Sequence, residues 1–430
     1  MLITTAITLV LILSILGIDV LLLLPFLGKN RKVRKFSENF QIFLQKDSSP
    51  GYLLLMCAAL SLVLANTSFG AGYLKIWNSD LAGHSLSHWI DDGLMAIFFL
   101  LVGLELKHEV LYGSFKSAKQ TLLPLMAAVG GMIVPALIYI VTTKGSPAQT
   151  GFGIPIATDI AFVLAVLSLL GKKRIPSQLR TFLLALAVVD DIGAIIVIAI
   201  FYSNGLSVGF LIAALLLWLL LFFAGSRIVT TSRKGELALM FVLLGGGLLM
   251  WFLMMRSGVH ATISGVLLAL AMPTRNGRPD SAASVLRNYL HKPVYFIVLP
   301  IFVLANTAIP LNDILDGNGF LNIFSSNHVL AIVCGLLLGK PIGVLFGSWI
   351  ALRTKMAVMP ANMNWRHLVG AGFLSGIGFT MSIFVTTLSF SEFFMVGSSK
   401  IAIIVSSLMA ALLGALVLFK SDVSEEAIST

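Results

Sequence analysis

The sequence predicts an all-α, polytopic membrane protein with about twelve core transmembrane helices. Three observations predict it. Of 430 residues, 58% are hydrophobic and only 11% charged, where soluble domains carry about 45–50% and about 25%. Apolar runs near twenty residues recur from end to end, and each is long enough to cross a bilayer as a helix. The stretches between them are short and free of low-complexity sequence, so no soluble domain is inserted. Both cysteines, Cys57 and Cys334, lie inside apolar runs. They form neither a disulfide framework nor a metal-ligand spacing.

An apolar run over 3–28 opens the chain. Met1 to Ala6 carries no charged side chain, and the basic cluster Lys29 to Lys35 follows the run. A secretory signal has its basic region before the apolar core. The run is therefore expected to be an extra helix with Met1 outside. Asp19 within it reads as an edge or packing residue. Residues 1–35 form this extra segment, 36–420 the main domain and 421–430 a cytoplasmic tail.

The main spans are expected over 50–66, 92–106, 120–142, 153–170, 181–202, 206–224, 236–254, 258–273, 293–310, 328–350, 367–389 and 399–419. Basic residues concentrate in the cytoplasmic loops of membrane proteins. With the segment before span one inside, 24 Lys and Arg fall inside. Only Lys75, Lys144, Arg256 and Lys400 fall outside, and Lys340 lies within a span. This orientation leaves the C-terminus in the cytoplasm. It also accounts for the net charge of +10 as a topology signal and removes a nucleic-acid partner. The partner surface is the lipid bilayer.

A charge at bilayer depth costs roughly 2.5–3.5 kcal/mol on insertion scales. Asp19 aside, four residues carry that cost: Asp159, Asp190, Asp191 and Lys340. At about 1.5 Å per helical residue, Asp159, Asp190 and Lys340 each lie about 15 Å from the inner end of their spans. That is the midplane of a core about 30 Å thick. Charges at one depth on separate spans point to one site. A structural ion pair accounts for Lys340 and one carboxylate but not for three carboxylates. Carboxylates that exchange protons for a cation are the chemistry of a proton-coupled cation site. Asp190 and Asp191 are adjacent and point about 100° apart on a helix. One can face a cavity while the other meets Lys340. Gly193, one turn on, leaves room for backbone or water.

Two spans look interrupted. The first runs Gly151-Phe152-Gly153-Ile154-Pro155-Ile156-Ala157-Thr158-Asp159. The second carries Gly370, Gly372, Gly376 and Gly378 before Phe379-Thr380-Met381-Ser382. Gly and Pro at this depth break helices, and paired broken spans mark transporter binding sites. The half-helix ends need compensating charge, a role open to Asp159 and Lys340. Spans 120–202 and 328–419 each hold three helices with the broken one central. They start from opposite sides, as an inverted repeat requires.

Several strings then carry a resemblance. They are Asp92-Gly93-Leu94-Met95-Ala96-Ile97-Phe98-Phe99-Leu100-Leu101-Val102-Gly103-Leu104-Glu105, Ala157-Thr158-Asp159-Ile160-Ala161-Phe162, Asp190-Asp191-Ile192-Gly193-Ala194, Ser257-Gly258-Val259-His260-Ala261-Thr262, Gly339-Lys340-Pro341 and Gly376-Ile377-Gly378-Phe379-Thr380-Met381-Ser382. From about residue 36 to 419 the chain resembles the NhaA family of sodium–proton antiporters. The resemblance implies a fold of inverted repeats with two broken, crossing helices. It implies electrogenic exchange of cytoplasmic Na⁺ or Li⁺ for external H⁺ by alternating access, serving sodium and pH homeostasis. Such a protein is not an enzyme and has no cofactor. Asp190 and Asp191 would form the exchange site, with Asp191 the main cation ligand. Lys340 would pair with Asp190 or compensate the helix ends. Thr158 and Asp159 would sit at the crossing. The protein would be a multi-pass homodimer of the bacterial inner membrane, joined through the outer loop Asn66 to Asp91.

The resemblance weakens at residues tied to pH control. Family members carry Arg between Lys and Glu after span two, where this chain reads Glu105-Leu106-Lys107-His108-Glu109. After span eight they offer Glu and two His, where Arg287, Asn288 and His291 stand here. Glu105, His108, Glu109, His260 and His291 are the residues expected to shape the pH response. Three rival functions compete. A sodium-coupled symporter would need a roomy organic pocket. An intramembrane aspartyl protease is echoed by Pro135-Ala136-Leu137, but it needs its two Asp on different helices. A passive channel would show no coupling of sodium efflux to proton entry.

Overall fold

The computed structural model describes residues 48–113, 118–171, 175–203, 205–228, 232–315, 323–360 and 362–420. The extra helix expected over 3–28 and the tail 421–430 lie outside them.

The described chain is almost wholly helical. Helix α1 (Ser49–Ala65) starts with Pro in its first turn, where the missing N–H costs nothing. It turns through 119° into α2 (Gly70–Trp77). A two-residue hairpin follows, with Asp80 paired to Ser85 and Leu81 to His84. A short helix and a π turn over Ile90–Leu94 lead into α3 (Met95–Tyr112). Then come α4 (Ala118–Thr142), a 3₁₀ segment (Pro147–Ile156), α5 (Ile160–Leu170), α6 (Ser177–Phe201), α7 (Val208–Arg227), α8 (Arg233–Ser257) and α9 (Ile263–Ala271). Two long helices, α10 (Ala282–Asn306) and α11 (Asn327–Arg353), each contain a π turn. The series closes with α12 (Trp365–Ser375), α13 (Phe379–Ser389) and α14 (Phe393–Phe419).

Among the described residues, seven helices are long and apolar enough to cross a membrane, or ten if each bent pair is one span. Two of the twelve expected spans fall short. Helix α3 carries Glu105, Lys107 and Glu109, and α9 has only nine residues. Both expected breaks are present. The 3₁₀ segment and α5 meet at 44°, and α12 and α13 at 43°.

Two apolar clusters hold the helices. The larger surrounds the breaks and includes Phe99, Phe162, Leu186, Phe302, Phe379 and Phe384. The smaller joins the middle of α3, through Leu100 and Leu104, to α7, α8, α9 and the start of α10. Leu216, Leu220 and Phe223 on α7, with Phe241, Val242 and Leu248 on α8, are exposed. A lipid surface covers such side chains where water would not.

Close backbone approach seats the buried lysine. A Cβ on Gly130 of α4 would run into the Gly343 carbonyl of α11, and one on Gly343 into the Gly130 carbonyl. Only glycine at both positions lets the helices touch. Lys340, one turn before Gly343, is carried into the interior with 0% exposure. Gly193 serves a different end from the expected one. The Met132 side chain of α4, not backbone or water, fills the space where its Cβ would stand.

Candidate functional site: a buried carboxylate cavity

Both broken helices present their ends to one another. Residues Ala157 and Asp159 are extended, with ψ of 154° and 100°. Pro155 lacks the N–H an α-helix would need there, and the first half is 3₁₀. The backbone N–H of Asp159 donates to the Ile377 carbonyl at 2.7 Å. Ser382 Oγ donates to the Ile154 carbonyl at 2.7 Å. The two links are thus tied in both directions.

Asp159 caps two helices at once. Its Oδ1 accepts from the Phe162 N–H at 3.1 Å, at the start of α5. Its Oδ2 accepts from the Thr380 N–H at 3.1 Å and the Thr380 hydroxyl at 2.6 Å, at the start of α13. A helix N-terminus carries roughly half a positive charge. Two of them match one carboxylate, so fixed dipoles balance the Asp159 charge.

Lys340 reaches Asp190 rather than the helix ends. Its Nζ lies 2.6 Å from Asp190 Oδ2, and both side chains have 0% exposure. It also donates to Thr158 Oγ1 at 3.1 Å. That hydroxyl lies 2.6 Å from Asp190 Oδ2 and 2.8 Å from the Ser375 carbonyl, the last residue of α12. The pair is therefore neutral, and Thr158 hooks it to a half-helix C-terminus.

Asp191 is different. It is 2% exposed, and its Oδ1, like that of Asp190, is buried with no hydrogen-bond partner, but among the described residues no lysine pairs with it as Lys340 pairs with Asp190. It lines a cavity of about 20 Å³ with Thr158, Asp159, Tyr295, Thr380, Phe98 and Val102 among its walls. Neither a lysine nor a helix end is dedicated to its charge. A buried carboxylate in that condition holds a proton or a cation. Among the described residues no group of three or more His, Cys, Asp or Glu is arranged to hold a metal ion.

The residues expected to shape the pH response fall into two places. Glu105, His108 and Glu109 on α3 share the neighbourhood of Arg287 on α10, and His291 lies one turn beyond, its ring 4.9 Å from that of Tyr295. This set lies at the end marked by the basic loops. His260 stands elsewhere. Its charged neighbours are Asp92 and His88, and Asp92, in the π turn before α3, and Glu105 lie about 20 Å apart along the helix axis. His88 Nε2 is 3.6 Å from Asp92 Oδ2.

Two lining residues escaped the sequence reading. Thr380 stands within the quoted Phe379-Thr380-Met381-Ser382 string, and a hydroxyl just after a break is a cap signal. Tyr295 gave no signal beyond a polar tip in an apolar run.

A profile of the Na⁺/H⁺ antiporter 1 family matches residues 41–418. The chain is 44% identical over 380 residues to the protein named Na⁺/H⁺ antiporter NhaA 1 of Flavobacterium johnsoniae, covering 88% of this chain and 96% of that one. It is 45% identical over 382 residues to Na⁺/H⁺ antiporter NhaA of Cytophaga hutchinsonii, covering 89% and 95%. The fold is similar to the solved structure of the sodium proton antiporter MjNhaP1 from Methanocaldococcus jannaschii. The TM-score is 0.50 at 15% identity, with 95% of this chain and 99% of that one covered. A match over nearly the whole described chain, joined to relatives of this identity, establishes that the chain belongs to the Na⁺/H⁺ antiporter 1 family.

Proposed function

We propose that the protein exchanges cytoplasmic Na⁺ or Li⁺ for external H⁺ at Asp191, by alternating access across the bacterial inner membrane. One observation carries the reading: Asp191 is a buried carboxylate facing a cavity, without a fixed positive partner. Asp190 is neutralised by Lys340 and Asp159 by two helix N-termini. Asp191 is then the site where a proton and a cation compete. Binding one excludes the other, which couples the two flows. The Asp190–Lys340 pair gives a second place for a proton, so that more than one H⁺ moves per Na⁺ and exchange is electrogenic. Two of the three bent pairs, central in the sets 118–201 and 327–419, support an inverted repeat. The exposed hairpin Asp80–Ser85 supports a homodimer through the outer loop. The basic loops support a cytoplasmic C-terminus. Sites that bury an organic ligand run to about 300–1,000 Å³. A cavity of about 20 Å³, room for about one water, favours a cation over the solute of a symporter. Asp190 and Asp191 on one helix, with Asp190 committed to Lys340, disfavour the protease.

The test is dequenching of a ΔpH probe in everted vesicles on adding Na⁺, Li⁺ or K⁺ across pH, with no organic solute. Wild type should respond to Na⁺ and Li⁺, and Asp191→Asn should not. Near-normal exchange in Asp191→Asn sinks the assignment.

A further inference from the structure

Five of the cavity's lining side chains carry oxygen: Thr158, Asp159, Asp191, Tyr295 and Thr380. Three are already committed. Thr158 serves Asp190, Lys340 and the Ser375 carbonyl. Asp159 and Thr380 serve one another and the helix ends. The oxygens left over are the Asp191 carboxylate, from α6, and the Tyr295 hydroxyl, from α10. The hydroxyl makes no hydrogen bond to another described residue. It shares that cavity with the Asp191 and Asp159 carboxylates.

Its placement has a local cause. Tyr295 rides in the π turn Val294–Val298, directly after Pro293. An extra residue in one turn rotates the side chains beyond it by about 100°. Such turns recur at functional sites. The ring rests on His291, one turn nearer the mouth that holds Glu105 and Arg287.

A hard cation entering a buried site exchanges water for oxygen ligands. One carboxylate cannot replace a hydration shell. We propose that the Tyr295 hydroxyl supplies the second side-chain oxygen, a neutral one, to the cation held at Asp191, directly or through one water. This rests on the reading of Asp191 above. A neutral oxygen on the facing wall lowers the cation's desolvation cost without adding a charge that must be moved. A further charged group would instead tie the cation down. Tyr295 is a ligand in this account and takes no proton.

The test is Tyr295→Phe, which keeps the ring and its contact with His291. It is compared with Tyr295→Ala, Asp191→Asn and wild type in everted vesicles and as purified full-length protein. In Tyr295→Phe the apparent KM for Na⁺ should rise about three- to tenfold, the loss of one hydrogen-bond-sized contact. The rate at saturating Na⁺ should stay within about twofold. The midpoint of thermal unfolding without Na⁺ should match wild type, and the upward shift on adding Na⁺ should need proportionally more salt. An unchanged KM in Tyr295→Phe overturns the proposal. So does a raised KM confined to Tyr295→Ala, which would make the ring a wall. So does a lowered saturating rate at unchanged KM. Retained exchange in Asp191→Asn would overturn the underlying site instead, whatever Tyr295→Phe does.

Discussion

Two places in the molecule bring a lysine and an aspartate together inside the helices, and they do it differently. At the midplane, Lys340 Nζ touches Asp190 directly at 2.6 Å with both side chains fully buried. Toward the other end of α3, Asp91 and Lys400 are joined through an amide. Asn306 Nδ2 donates to Asp91 Oδ1 at 2.7 Å, and Lys400 Nζ donates to Asn306 Oδ1 at 3.0 Å. Asp91 and Lys400 retain some exposure while Asn306 is buried. The direct pair cancels two charges beside Asp191 and leaves that carboxylate without a lysine of its own among the described residues. The relayed set leaves each ion partly to solvent and uses the amide to tie the lead-in of α3, the end of α10 and the first turns of α14. The lesson is that a buried pair acts through what it leaves unbalanced next to it. Asp190–Lys340 has such a neighbour, and Asp91–Lys400 lies well away from the cavity.

The sharpest way to break this contrast is at the neighbour itself. Asp191→Asn should abolish cation-dependent proton movement while membrane insertion and the unfolding midpoint remain near wild type. Removing an uncompensated buried charge does not destabilise a fold. The lysines should come next. Lys340→Met strands the Asp190 charge, and breaking a buried pair costs about 3–5 kcal/mol. Adding Asp190→Asn to it should restore much of the thermal stability. Lys400→Met leaves Asp91 bonded to Asn306 and partly solvated, so a loss of about 1–2 kcal/mol is expected. Exchange should fall by no more than about twofold. Equal losses for the two lysine variants in thermal unfolding would erase the distinction between the pairs.

The same contrast separates what the sequence could show from what it could not. Asp159, Asp190, Asp191 and Lys340 stood out because a charge in a twenty-residue apolar run has few innocent explanations. Their common depth followed from helix rise alone, and the glycines and Pro155 marked the breaks. Lys400 did not stand out. Hydropathy placed its span at 399–419, where Lys400 reads as an outer-loop residue. The helix in fact begins at Phe393, because Phe393-Phe394-Met395-Val396 continue it before Glu392 ends the run. That extra length draws Lys400 in toward Asn306. Asn306 and Tyr295 are neutral, carry no insertion penalty large enough to notice, and depend on helix rotation that no periodicity reveals. Which end of the molecule His260 belongs to also required the packing of α9 on α3.

A smaller effect is expected where Asp159 is over-provided with donors. Thr380→Val removes the 2.6 Å hydroxyl bond but leaves the Thr380 and Phe162 N–H groups in place. A hydrogen bond to a charged group is worth about 1.5–3 kcal/mol, and two remaining donors should hold the loss near the lower figure. Exchange should persist with a modestly raised KM. Complete loss of exchange in Thr380→Val would mean that Asp159, rather than Asp191, carries the ion.

The smallest and most diagnostic effect concerns pH. On the proposal that protons and Na⁺ compete at Asp191, lowering pH inhibits by occupancy, without a separate sensor. Raising Na⁺ displaces protons, so the pH of half-activation must move downward as Na⁺ rises. Mass action sets the size. A tenfold rise in Na⁺ moves the midpoint by about one unit if each cation displaces one proton, and by about half a unit if it displaces two. The shift thus reports stoichiometry. The mouth can add steepness by biasing a conformational equilibrium. Here His108 supplies a titratable group beside Glu109 and Arg287, where the family pattern has a permanent cation, and Arg287 stands where it has an acid. Joint replacement by His108→Arg and Arg287→Glu should therefore steepen the profile while leaving the Na⁺-dependent shift intact, because the proposal places that shift at Asp191. A wild-type profile that is already steep and does not move with Na⁺ would remove competition as the controlling step. The charge left unbalanced at the midplane would then set where the cation binds but not when the protein works.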